Sequence, residues 1–203
     1  MDTTTNRGKS SWPAALLLAA ALMLITLATF QSLEGNRTQR EAQTVIGTIN
    51  QQDISYRQYL DEIRLQALRQ DLRNQGDLPV NQAAILNRLI INTLFLQAAQ
   101  QTGMEVPDTG VQAAIDDFYD SFNLSPSDFQ AILETHKLSY ETFETSIRNF
   151  LQIVLFAEVD ILSNIPSGGR QIALENWLAA RFEASIIDFD PTFIEFISQN
   201  QLQ

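Results

Sequence analysis

The chain has 203 residues, a formal net charge of −11, one histidine and no cysteine. Without thiols there is no disulfide framework, no thiolate metal site and no cysteine nucleophile. With 24 acidic against 13 basic side chains, the clustered Lys and Arg needed to hold nucleic-acid phosphates are also excluded.

The N-terminal residues carry Arg7 and Lys9, then Trp12 at the position of an interfacial aromatic. From Pro13 to Phe30 no charge occurs. As a helix this stretch would extend about 27 Å, close to the hydrocarbon thickness of a bilayer. The two cations ahead of it place the N-terminus in the cytoplasm and the rest outside. A cleaved signal peptide is the alternative, but Ala28-Thr29-Phe30-Gln31 makes a poor cleavage site and the apolar run is long for a signal. Either reading exports the body. Gln31 to Gln43 is a polar spacer.

Val45-Ile46-Gly47-Thr48-Ile49 is rich in β-branched residues and reads as a short strand, followed by an Asn/Gln/Asp turn. Ser55 opens a helix, with Gln58 completing a capping box. The segment from Asn81 to Thr102 is apolar most of the way round, as a central core helix would be, and Gly103 is suited to end it. Arg88, Asn87 and Asn92 exclude a second membrane span there.

Three further starts follow. Asp108 is expected to cap one helix, Ser125-Pro126 another, and Ser139 a third with Phe143, Ile147, Phe150, Leu151, Val154 and Leu155 along one face. A turn-rich joint spans Leu162 to Arg170, then a helix from Gln171 to Phe182. Ala184 to Phe189 reads as a strand whose natural partner is Val45–Ile49, because an isolated strand leaves its backbone groups unpaired. The tail, with Phe193 and Phe196, is expected to form a short amphipathic turn or two.

The order of these elements resembles the SurA/PrsA/PpiD group of extracytoplasmic chaperones. The resemblance rests on Val45-Ile46-Gly47-Thr48-Ile49-Asn50, on Ile54-Ser55 opening a helix at Tyr59, and on Ile85-Leu86-Asn87-Arg88-Leu89-Ile90 running into Thr102-Gly103-Met104-Glu105-Val106-Pro107-Asp108. Phe122-Asn123-Leu124-Ser125 and Leu138-Ser139-Tyr140-Glu141-Thr142-Phe143 continue it. It implies a mainly α fold: one N-terminal transmembrane helix, then a SurA N-like multi-helix domain with a small two-stranded sheet pairing the start and end of the body. The corresponding boundaries are a cytoplasmic segment 1–12, an anchor 13–30, a spacer 31–43, the helical domain 44–190 and a tail 191–203. Members of the group often carry a parvulin prolyl isomerase domain between the helical region and the returning helix. Here that place is the joint Leu162 to Arg170, too short for a domain, and the single histidine does not supply the paired histidines of a parvulin site.

The remaining candidates for chemistry have plain structural readings. His136, beside Lys137, is expected at the surface without neighbouring metal ligands. Asp116, Asp117, Asp120, Glu141 and Glu144 lack calcium-loop spacing and suit exposed helix faces. No catalytic residue, metal site or cofactor is therefore expected. The candidate client- or partner-contact residues are Tyr119, Phe122, Phe129, Phe193 and Phe196. The function implied is a chaperone without isomerase chemistry, held in a bacterial inner membrane with its body periplasmic and binding exported or membrane protein clients. The alternative is a dedicated structural or assembly subunit of one membrane complex.

Overall fold

Residues 43–75 and 78–200 are described in the computed structural model. The chain divides into two compact units between Ala42 and Gln43, and the described residues all belong to the second. The expected anchor 13–30 and most of the spacer 31–43 lie outside the described residues. Among the described residues no helix is long and apolar enough to cross a membrane.

Strand β1 (Val45–Ile49) turns back at Asn50 and Gln51, both with positive φ (51° and 67°), and pairs antiparallel with β2 (Gln52–Ser55). Positive φ at both central residues is the geometry whose twist matches a two-residue hairpin. The turn expected after Ile49 is therefore the tip of a hairpin. Its second strand is short and begins with polar Gln52 and Asp53, so it carries little strand signal of its own. On its other side β1 pairs antiparallel with β3 (Ile187–Phe189), as the strand propensities require. The sheet thus has three strands in the order β2-β1-β3, rather than two. β3 is shorter than expected because the preceding helix continues to Glu183.

Seven α-helices complete the described fold. Ser55 caps α1 (Tyr56–Leu72) through the reciprocal bonds of a capping box with Gln58. Asn81 caps α2 (Gln82–Gln101), and Gly103, with φ at +68°, supplies the left-handed residue that closes it. The start of α3 (Asp108–Phe122) differs from expectation. Pro107 holds the cap position and makes no side-chain cap bond, while Asp108 lies inside the first turn and reaches Arg148 at 2.9 Å. An acid there still complements the helix dipole. Ser125 caps α4 (Pro126–Thr135) and Ser139 caps α5 (Tyr140–Phe156), each accepting from the backbone three residues on. A π turn (Ala157–Ile161) and a 3-10 turn (Ser167–Gly169) lead to α6 (Arg170–Glu183). The tail is a ten-residue helix, α7 (Pro191–Asn200), begun by Asp190, whose carboxylate accepts from the backbone N–H groups of Thr192 and Phe193. Those bonds, Thr192 first, hold the Asp190 carboxyl below its ordinary range.

Helix α2 serves two of three apolar clusters. Ile85, Leu89 and Leu94 pack with Ile46, Ile49, Ile54, Tyr59, Phe193 and Ile197. Further along, Phe95, Ala98 and Ala99 meet Phe156, with Trp177 stacked on Phe95 at 4.4 Å. The third cluster joins α1 (Leu65, Leu68) to α3, α4 and α5 through Val111, Ile115, Phe129, Leu133 and Phe143. An all-round apolar helix is the sequence form of this position.

Gly47 on β1 and Tyr59 of the first cluster make testable points. A Cβ on Gly47 would lie within 2.6 Å of the Asp188 carbonyl oxygen and closer still to the Phe189 ring, so β3 can approach β1 only across a glycine. Gly47→Ala is expected to lower stability by about 1–3 kcal/mol, the usual cost of overpacking, measured by denaturant unfolding. Tyr59 is buried, with its ring edge-on to Phe193 at 5.0 Å. Burial, then neighbouring Tyr56, pushes its phenol from 10.0 up to about 12. The folded state therefore keeps this proton where the unfolded chain would lose it. The resulting stabilisation is complete below pH 10 and is lost as pH rises from about 10 to about 12. Tyr59→Phe is expected to flatten the alkaline fall in melting temperature over that range.

Candidate protein-contact surface

Several charged side chains of the body pair with one another. Arg148 bonds Asp108 at 2.9 Å and Glu144 at 3.1 Å, and donates to the Val106 carbonyl, tying the α2–α3 connection to α5. The bond to Asp108, above the other contacts, raises the Arg148 guanidinium above its ordinary value. Gln152 fastens the same connection through the Met104 carbonyl at 2.8 Å. Asp61 sits between Arg57 and Arg64, and Glu158 pairs with Arg170. His136, expected at the surface, is half-buried and lies 3.1 Å from Asp71, where it joins the ends of α1 and α4. Asp116 accepts from Gln112 on an exposed face. No group of acidic or histidine side chains able to hold a metal occurs among the described residues.

The five candidate contact residues separate in the structure. Phe129 is fully buried between Phe143 at 4.6 Å and Phe118 at 5.2 Å, and is a core residue. Phe193 is likewise buried, because α7 turns it onto Tyr59. Neither presents a surface for a partner. Tyr119 is half-buried against Phe129. Burial and then Tyr140 raise its phenol above the ordinary value. Phe122 is exposed, with its ring 4.9 Å from that of Phe118. Phe196 is exposed on the outer side of α7, as is Ile194.

Among the described residues the most exposed large aromatic is one read as part of the apolar face of the helix begun by Ser139. Phe150 is 61% exposed, and Val154, Leu155 and Val159 stand out beside it. The reason is a rotation of the buried face along α5. Its first half buries Phe143 in the cluster with α3 and α4, and its last turn buries Phe156 against α2 and α6. At 3.6 residues per turn those two side chains point about 140° apart. The face that carries Phe143 is therefore not covered along the second half of the helix, where Phe150 and Val154 lie within about 20° of it. The signal was present in the sequence: apolar residues in α5 occupy more of the circumference than one packing face requires. The π turn that ends α5 carries Val159 past the helix, with Leu162 N–H donating to the Ala157 carbonyl at 2.9 Å.

A small closing sheet, seven helices around three apolar clusters and apolar side chains exposed on α5 define a mainly helical domain among the described residues. The SurA-like N-terminal domain family matches residues 1–154, and the chain belongs to that family. Among curated relatives it is similar to the Chaperone SurA of Cupriavidus metallidurans, 26% identical over 68% of this chain and 28% of that protein. It is also similar to the Chaperone SurA of Methylobacillus flagellatus, 35% identical over 49% of this chain and 24% of that protein. The Chaperone SurA of Aromatoleum aromaticum is 27% identical over 84% of this chain and 38% of the relative. The chain spans about a quarter to two-fifths of the length of these relatives. A solved structure from work on two SurA-like chaperones of Campylobacter jejuni, PEB4 and the periplasmic protein Cj1289, is 20% identical. It covers 57% of this chain and 41% of that one, with a TM-score of 0.36.

Exposure and burial make opposite predictions for two phenylalanines. Phe150→Ser is expected to change stability by less than about 0.5 kcal/mol while reducing the binding of a hydrophobic dye. Phe129→Ala is expected to cost about 3–5 kcal/mol, and parallel denaturant titrations compare the two.

Proposed function

We propose that the chain is a membrane-tethered extracytoplasmic chaperone of the SurA type, which holds unfolded or assembling exported proteins without isomerase chemistry. The observation that carries this reading is the uncovered pair Phe150 and Val154, one turn apart on a helix that packs into two apolar clusters. Exposed apolar side chains on a packed helix favour contact with apolar segments of another chain. Phe122 and Tyr140, exposed at the margin of the aromatic cluster, extend the same chemistry toward α3. The connection from the π turn to α6 is turn-sized, with a single 3-10 turn in it. This supports a role in holding rather than isomerising.

The apolar segment 13–30 would act as the anchor. Tethering confines the body to proteins emerging at one membrane and raises their effective concentration without any stronger contact.

The test uses the full chain in lipid nanodiscs, with light scattering from citrate synthase diluted out of urea as the readout. A several-fold excess of the chain is expected to suppress aggregation. The double substitution Phe150→Ser with Val154→Ser should weaken suppression several-fold at an unchanged melting temperature. No suppression by the parent chain would sink the proposal. If instead one fixed set of proteins co-purifies in mild detergent, the fold serves as a dedicated subunit of a membrane complex.

A further inference from the structure

A second surface, chemically unlike the apolar run, lies where the β1–β2 hairpin tip, the last turns of α2 and the end of α6 converge. It is an open pocket of about 570 Å³ lined by six carboxamides: Asn50, Gln51 and Gln52 from the hairpin, and Gln97, Gln100 and Gln101 from α2. Arg181, Ala184 and Ser185 complete it, so the lining contains no carboxylate and no aromatic ring.

The inner amides are immobilised by one another. Asn50 accepts from the Ile186 N–H at 2.9 Å and donates to Gln97 Oε1 at 2.8 Å and Ser185 Oγ at 3.2 Å. Gln97 in turn donates to the Ile49 carbonyl and to Gln52 Oε1, both at 2.9 Å. Arg181 donates to Gln101 Oε1 at 2.8 Å, and its guanidinium lies over the Trp177 ring. These bonds leave the NH₂ groups of Gln52 and Gln101 directed by their engaged oxygens. The carboxamides of Gln51 and Gln100 make no hydrogen bond among the described residues. The result is an ordered inner layer with free donors and acceptors at its rim. Gln51 also holds φ at +67°, a conformation that a long side chain adopts at a cost.

We propose that this pocket binds the main chain of an extended polypeptide. It deepens the chaperone reading above, on which it rests. A carboxamide presents one carbonyl acceptor and an NH₂ donor in a plane, the same groups that a peptide bond presents. The lining carries one charge, the Arg181 guanidinium already bonded to Gln101 and lying over Trp177, and no carboxylate, so it offers a cation no counter-charge and an anion only one engaged donor. The absence of an aromatic platform disfavours a sugar, whose apolar face needs one. Recognition of main-chain groups is independent of sequence, and complements the apolar run, which reads side chains.

The test is a titration of the full chain, in neutral detergent, followed through its side-chain NH₂ resonances by NMR. The probe is an acetylated and amidated Gly-Ser peptide. A second peptide has alternate amides N-methylated, and maltotriose serves as the neutral polar control. The unmodified peptide is expected to shift the Gln51, Gln100 and Gln101 signals, and N-methylation should weaken binding about tenfold through lost donors. Gln51→Gly, which suits the left-handed turn, combined with Gln100→Ala should weaken it about fivefold or more at an unchanged melting temperature. The inference is overturned if the peptide shifts no amide signal at millimolar concentration, if the N-methylated peptide binds equally, or if maltotriose binds in its place. Those outcomes leave the aggregation assay untouched, so failure of the pocket and failure of the chaperone reading are separately visible.

Discussion

The architecture depends on one close approach, the packing of β3 across Gly47 of β1. β1 is the central strand, bonded to β2 on one side and to β3 on the other. A hairpin with only its local partner would be marginal in water. Pairing with β3 adds the third strand and brings residues from opposite ends of the body into one sheet. The Asp190 N–H donates to the Ile46 carbonyl at 2.9 Å, immediately before α7 begins. Strand and helix therefore dock as a unit, and α7 places Phe193 and Ile197 against Tyr59 and the sheet. The residue that permits this is the smallest available, because any Cβ at position 47 would meet backbone and ring atoms together.

Around that closure the helices solve a covering problem only in part. α2 is shared between two clusters and is apolar nearly all round. α5 is also asked to serve two clusters, but on faces far apart around its axis. Cover on the Phe143 face ends partway along the helix, and Phe150 and Val154 further along that face are left exposed. Exposed apolar area at this position is thus a consequence of how the bundle is assembled. The Arg148 contacts to Asp108, Glu144 and the Val106 carbonyl hold the helix in that setting.

Two contact chemistries follow from the same scaffold. The apolar run offers non-directional affinity, roughly proportional to the area it removes from water. The amide pocket offers directional bonds of modest net strength. Neither demands a fixed side-chain sequence, which suits the holding role proposed above. The apolar side chains sit on a helix, and the amide pocket joins a hairpin tip to the ends of two helices.

Local features were legible from the chain alone. The capping box at Ser55, the caps at Ser125 and Ser139 and the stop at Gly103 are all short-range signals, satisfied within a few residues of backbone. Even the β1–β3 pairing was inferable, since two isolated strands must find partners. Other features were not legible. β2 was hidden because an Asn-Gln turn lacks the usual glycine, and Asp108 exchanged a cap for an ion pair with a helix far along the chain. Phe129 and Phe193 went inward while Phe150 went outward, although all three lie on helices with apolar stripes. Periodicity specifies that a helix has a face to bury; which arc of it is covered depends on the neighbours that tertiary packing brings, and on α5 two neighbours chose different arcs.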